Sequence, residues 1–358
     1  MNNYNYNGYK VDLETPEERY LKRQRLTKLF SRVFLALFIY TLLSEFLASA
    51  IYFTAAAFMP EEQYLAFSKN NVIAILISAC VQYLVAFPVF LLIVAGTDKA
   101  KERKKSPLAF KDITLAICIG QAMMLLGSMV SSFISTRIQM ITGAQPENRV
   151  DTLVNEVPTY LIFIVVVILA PIFEELIFRK LMIDRLSIYG DKMAIIFTAV
   201  AFGLIHANFY QLFYATLLGF VLGYVYTKTG QVKYTIIIHS VINFLGSIVS
   251  ILVEKSYEIF LPTFEKLMDG SLALESINMS EFLFNGTVVF SFTNMQYGIL
   301  IGGIIAIFYY FKNKKIRISG EKEIYIPDRE IARCGVENVG AILFIALSVL
   351  LTFISTII

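Results

Sequence analysis

Apolar runs of about 20 residues, parted by short charged stretches, recur along the chain from residue 33 onward. A helix of that length crosses the roughly 30 Å of hydrocarbon in a bilayer, and it satisfies its own backbone hydrogen bonds where no water can. The pattern predicts nine spans, at about 33–59, 72–97, 113–141, 159–183, 192–211, 212–230, 234–253, 296–311 and 340–358, with 296–311 the weakest. The expected fold class is all-α, a polytopic transmembrane helical bundle of about eight or nine spans. A basic segment, 1–32, precedes a single membrane domain, 33–358, whose motif-bearing core is about 159–250. The pieces IFLPTF and FLFNGTVVFSF in the loop 254–295 fit either an interfacial or a re-entrant position.

Charge gives those spans an orientation. Lys and Arg number seven in 1–32, six in 98–111 and seven in 312–339. The alternate loops hold Lys69 alone (60–71), Arg149 alone (142–158), and Lys255 with Lys266 (254–295). The positive-inside rule then places the N-terminus in the cytoplasm and the C-terminus outside. The net charge of +3 over 358 residues carries no such information. Topology accounts for the basic loops, so no nucleic-acid partner is expected; the expected partners are membrane lipid and a hydrophobic substrate. The first span is too long for a signal-peptide core and follows a long polar segment, so no cleavable leader is expected. Cys80, Cys118 and Cys334 have neither disulfide nor metal spacing. A composition rich in Ile, Lys, Asn and Phe and lacking Trp fits an AT-rich bacterial genome, and hence a bacterial cytoplasmic membrane.

Candidate chemistry is confined to a few polar groups within the apolar runs: Glu174, Glu175, Arg179, His206, Asn208, His239 and Asn243. Each charged group at mid-membrane costs about 2.5–3.5 kcal/mol on insertion scales, so it needs a partner or a function. Glu175 and Arg179 are spaced i,i+4 with the acid first, the favourable order for an ion pair. Glu174 points about 100° away around the helix and is left free to act as a base. His239 and Asn243 share one face by the same spacing, and Phe202 and His206 another. A carboxylate and an imidazole together activate water, directly or as metal ligands, and a histidine with an asparagine amide can donate to an oxyanion. Two histidines and a glutamate are also a ligand set for catalytic zinc. The blander readings are a structural ion pair for Glu175–Arg179, an interhelical hydrogen bond for Asn243, and the same for Glu45 in the first span. Gly219 and Gly223 form a close-packing face between helices.

These motifs carry a resemblance. EELIFR (Glu174–Arg179), FGLIH (Phe202–His206) and HSVIN (His239–Asn243) resemble, in order, the EExxxR, FxxxH and HxxxN motifs of the CPBP family, the CAAX protease and bacteriocin-processing membrane proteins. The resemblance implies an intramembrane endopeptidase related to type II CAAX prenyl proteases. By it, Glu174 and His206 activate water, His239 and Asn243 hold the oxyanion, and Glu175 with Arg179 orients the first helix. It also leaves open zinc or another divalent metal on Glu174, His206 and His239, or a metal-free, glutamate-based reaction; an HExxH motif is absent. The expected site opens to the cytoplasmic side for a lipidated or hydrophobic peptide. The rival readings are a non-catalytic bacteriocin-immunity or scaffold protein and, less favoured, a proton-coupled transporter, for which the two halves lack matching broken helices. Counted at 1.5 Å per residue, Glu174, His206 and His239 lie at depths of about 15, 21 and 8 Å, so a single site requires the fifth span to tilt.

Overall fold

The computed structural model describes residues 3–6, 9–12, 15–143, 157–313, 318 and 322–357. Arg149, Lys314, Lys315 and Arg317, counted above, lie outside these. After a short antiparallel hairpin (Asn3–Tyr6 with Tyr9–Asp12), the described chain is helical. Its elements are α1 (Pro16–Phe58), α2 (Glu61–Ser68), α3 (Asn71–Val94), α4 (Phe110–Thr142), α5 (Thr159–Tyr189) and α6 (Asp191–Leu204). They continue with α7 (Phe209–Thr229), α8 (Val232–Met268), α9 (Met279–Lys312), α10 (Asp328–Val336) and α11 (Val339–Ile357). Eight of them (α1, α3, α4, α5, α7, α8, α9 and α11) are long and apolar enough to cross a membrane. The protein is a multi-pass membrane protein.

The expected span 192–211 is not one helix. α6 has 14 residues, a rise of about 21 Å, too short to cross alone. The chain then turns, with Ala207 at a left-handed φ of 47°, a conformation uncommon for a residue with a Cβ. The Asn208 side chain accepts from Gln211 N at 3.2 Å and so caps α7. His206 therefore sits in the turn between two helices. α6 and α7 pack closely because glycines remove the obstructing side chains: a Cβ on Gly219 would come within 2.9 Å of Ala199 Cα, and one on Gly203 within 2.4 Å of Leu212 O. This bears out the packing role read for Gly219.

The segment 254–295 is mostly helix. α8 runs unbroken to Met268 and α9 begins at Met279, so the weak run 296–311 is the end of a 34-residue helix. IFLPTF and FLFNGTVVFSF face one another, with Phe260 stacked on Phe282 at 5.0 Å.

The basic segments meet at one end of the bundle. Arg103 donates to both carboxylate oxygens of Asp191 (2.5 and 3.1 Å) and to Ser187 Oγ (2.6 Å). Burial works against the Arg103 charge, but the Asp191 hydrogen bonds and charge outweigh it and lift the guanidinium above its ordinary range. Lys101 N donates to Glu323 Oε1 at 2.5 Å, Ser106 N to Thr229 O at 2.9 Å, and Arg23 pairs with Glu330. α11 starts at this same end and runs parallel to α1: Gly340 N donates to Ser31 Oγ at 3.2 Å, and Phe344 meets Phe34 at 6.0 Å. Ser355 Oγ, near the far end of α11, donates to Ala207 O at 3.0 Å and supports the α6–α7 turn.

Candidate active site

The site is built on α5, whose backbone is irregular for a reason visible in its sequence. Pro171 has no N–H and cannot continue the hydrogen-bond ladder. Ahead of it the helix widens over Phe163–Leu169, and Ala170 N donates to Val165 O. In this widened register, the donor due at Val166 O is residue 171, which is the proline. Asn243 from α8 supplies the missing donor: its Nδ2 reaches Val166 O at 2.9 Å. A second widened stretch, Leu176–Ile183, follows the glutamates, and such turns occur often at functional sites.

The two adjacent glutamates have different surroundings. Glu175 is fully buried and pairs with fully buried Arg179, Oε2 to Nε at 2.9 Å. The guanidinium also lies over the Phe202 ring, 5.1 Å from its centroid. Glu175 Oε1 meets His239 Nδ1 at 3.1 Å. The Glu174 side chain keeps 27% of its surface exposed, and its Oε2 lies 3.7 Å from His239 Nε2. The imidazole thus stands between two carboxylates, one locked by an arginine and one open. Burying an ion pair is favourable only when its geometry is good and further bonds satisfy its atoms; here His239 bonds Glu175 Oε1, whereas Glu175 Oε2 and the three Arg179 guanidinium nitrogens have no hydrogen-bond partner among the described residues.

The six residues singled out from sequence do not all converge. Glu174, Glu175, Arg179 and His239 do. His206 is tied to its own segment, Nδ1 to Phe202 O at 2.6 Å, which leaves Nε2 open. Both imidazoles pack edge-on against Phe202, with centroids 5.1 Å (His206) and 5.6 Å (His239) from it. Asn243 is engaged by Val166 O. His239 Nδ1 is taken by Glu175, while its Nε2 faces Glu174 Oε2 at 3.7 Å, beyond hydrogen-bond distance. Among the described residues, no three His, Cys, Asp or Glu side chains gather as ligands.

Two residues that the motif reading passed over stand close by. Tyr83, in a widened turn of α3 (Val81–Ala86), stacks on Phe173 with centroids 4.3 Å apart and planes at 8°. Tyr40 on α1 is buried edge-on to Phe90 at 6.5 Å. Through its stack, Tyr83 is held beside the residue that precedes Glu174. The only sequence signal was a tyrosine well inside an apolar run, since tyrosines in membrane helices ordinarily collect at the interfaces.

A family model described as type II CAAX prenyl endopeptidase Rce1-like matches residues 156–245, a segment holding all six residues. The UPF0177 protein YxdF of Lactococcus lactis subsp. lactis (strain IL1403) is 27% identical over 111 residues, 31% of this chain and 62% of that protein. The chain thus spans less than two thirds of that relative's length. No solved structure matches the chain. With its glutamate pair, buried arginine and two histidines in order, the segment 156–245 is thus similar to the type II CAAX prenyl endopeptidase Rce1-like family.

Proposed function

We propose that the chain is an intramembrane endopeptidase, cutting a peptide bond of a hydrophobic or lipidated, membrane-associated protein or peptide with water activated by Glu174. The observation that carries this is the asymmetry of the carboxylates: Glu175 is consumed by Arg179 and His239, while Glu174 stays open beside the same imidazole. A general base must be within reach of water and held in place by groups that do not themselves react.

In this reading, water attacks the peptide carbonyl carbon while Glu174 takes its proton. The C–N bond then breaks as that proton passes to the leaving amine. His239 Nδ1–H donates to Glu175, which fixes the ring and leaves Nε2 toward Glu174. His206 Nε2, its ring held by the bond to Phe202 O, is the candidate donor to the oxyanion. Asn243 acts through the backbone of α5 and has a second amide hydrogen for the substrate. We assign the chemistry to the carboxylate without a metal because, among the described residues, no three His, Cys, Asp or Glu side chains gather as ligands. The basic end of the bundle is the cytoplasmic one by the positive-inside rule, the site is taken to open toward it, and the membrane is taken as the bacterial cytoplasmic membrane.

The test is to map new peptide termini in membranes carrying wild-type protein, Glu174→Gln or His206→Ala at matched expression. A terminus made only by the wild type supports the reading and identifies the substrate. Unchanged termini with a cellular phenotype that survives both substitutions would replace the enzyme with a scaffold. Elemental analysis of purified protein, with cleavage followed in chelator, tests the metal assignment: stoichiometric metal lost together with activity overturns it.

A further inference from the structure

His206 belongs to neither α6 nor α7 but to the turn between them. The bond between its Nδ1 and Phe202 O ties the ring to its own chain, so the path of the turn sets where the ring stands. Ala207, the next residue, holds a left-handed φ of 47°, a conformation that persists in a residue with a Cβ only where its surroundings impose it. The ladder of α7 begins with Leu212 N on Asn208 O. Ala207 O lies ahead of that ladder and needs a donor from elsewhere.

Two hydroxyls from outside residues 156–245, on two different helices, hold this turn. Ser355 Oγ of α11 donates to Ala207 O at 3.0 Å, and fully buried Ser131 of α4 donates from Oγ to Tyr210 O at 2.9 Å. The approach of α4 depends on Gly127, one turn before Ser131: a Cβ there would come within 2.6 Å of Tyr214 N. Each hydroxyl also stands near a carbonyl of its own helix, Thr352 O at 2.9 Å for Ser355 and Gly127 O at 3.1 Å for Ser131. Serines in helices bond back in that way, but that habit does not bring two of them, from two helices, onto carbonyls three residues apart.

We infer that Ser131 and Ser355 are positioning residues for His206: they clamp the α6–α7 turn from α4 and α11, and so set where the free Nε2 edge of His206 stands in the site. The inference rests on the peptidase reading above, which gives His206 its part at the oxyanion. A group of that kind works by standing ready where charge develops, so a small displacement of its ring costs rate rather than substrate affinity. Neither serine touches substrate; each acts through a backbone carbonyl and, through the turn, on the ring. α4 and α11 thereby serve the site although they carry none of the residues in its motifs.

The test uses the full chain in detergent with a fluorogenic farnesylated CAAX peptide as probe. Ser355→Ala and Ser131→Ala are each expected to lower kcat about 5-fold, the size of one neutral hydrogen bond, with KM unchanged. In a His206→Ala background both substitutions should lose their effect, because the turn then has no imidazole to place. Wild-type kcat in either variant would leave the hydroxyls serving only their own helices, and an equal loss in both backgrounds would make them general packing; each result overturns the clamp. A second measurement needs no turnover. The chain has two histidines, so 15N-histidine labelling gives the ring at the turn and, in His239, an internal reference. Each serine substitution is expected to move the His206 ring resonances and leave those of His239 in place. Unmoved His206 resonances, or equal movement of both rings, overturn the inference. If wild type and Glu174→Gln treat the probe alike, the peptidase reading fails on that probe, and the 15N signals still decide whether the serines hold His206.

Discussion

α5 and α9 are both long and apolar enough to cross a membrane, yet 44% of the apolar window of α5 is buried inside the protein and only 6% of that of α9. The two helices differ in what their polar groups meet. On α5, Glu175 and Arg179 pair with each other and with His239 from α8, and the backbone itself takes a donor from Asn243. On α9, Asn285 and Asn294 bond back to carbonyls of their own helix, Glu281 O at 2.9 Å and Phe290 O at 2.7 Å, and Gln296 takes a longer bond, 3.4 Å, from Gln121 of α4. α9 also keeps a regular ladder throughout its length. Polar residues that satisfy themselves locally leave a helix free to face lipid; those that need other helices gather a site around them.

The strongest way to break this contrast is Glu174→Gln. Loss of a positioned base should lower turnover by about 100- to 10,000-fold, while thermal unfolding in detergent stays close to wild type. Equal turnover would leave α5 as packing alone. Next in size is Arg179→Met, which strands the buried Glu175 carboxylate and should cost about 3–5 kcal/mol. The double variant with Glu175→Gln should recover much of that in the same unfolding measurement, because the uncompensated charge is gone. Asn243→Ala should cost about 1 kcal/mol by leaving Val166 O without its donor. Its cost should shrink in a Pro171→Ala background, where residue 171 regains an N–H; an undiminished cost would mean that Asn243 matters for another reason. At the small end, Ile301→Ala on the exposed face of α9 should change stability by no more than about 0.5 kcal/mol and leave turnover intact. A larger effect would make α9 more than a wall.

Much of this was legible in the chain. The i,i+4 spacing gave the Glu175–Arg179 pair and the freedom of Glu174, because both depend on one helix only. The Gly219 face was legible for the same reason. What failed depended on where a helix stops. Hydropathy carried the fifth span through His206, but the apolar run hides a turn at Ile205–Asn208 whose cap, Asn208, reads in sequence as one more intramembrane polar residue. The single site was drawn from the resemblance, while spacing alone set Glu174, His206 and His239 at different depths; the structure brings His239 to both glutamates and packs both imidazoles against Phe202. Tyr83 was out of reach for a further reason: its stack on Phe173 is purely tertiary, between two helices, and no local period encodes it.

The knot of contacts at the basic end also sets an order of events during synthesis. The loop bearing Arg103 is made well before its partners: Asp191 comes 88 positions later, and Glu323, the acceptor for Lys101 N, 222 positions later. At about 5–20 residues per second, the Lys101 amide waits on the order of 10–40 s for that acceptor. Until then, the first helices sit in the bilayer with an open, strongly cationic rim. The rim closes only when α10 and its flanking segment emerge, so the final structure is fastened from its C-terminal third, after every residue of the proposed site has already been threaded into the membrane.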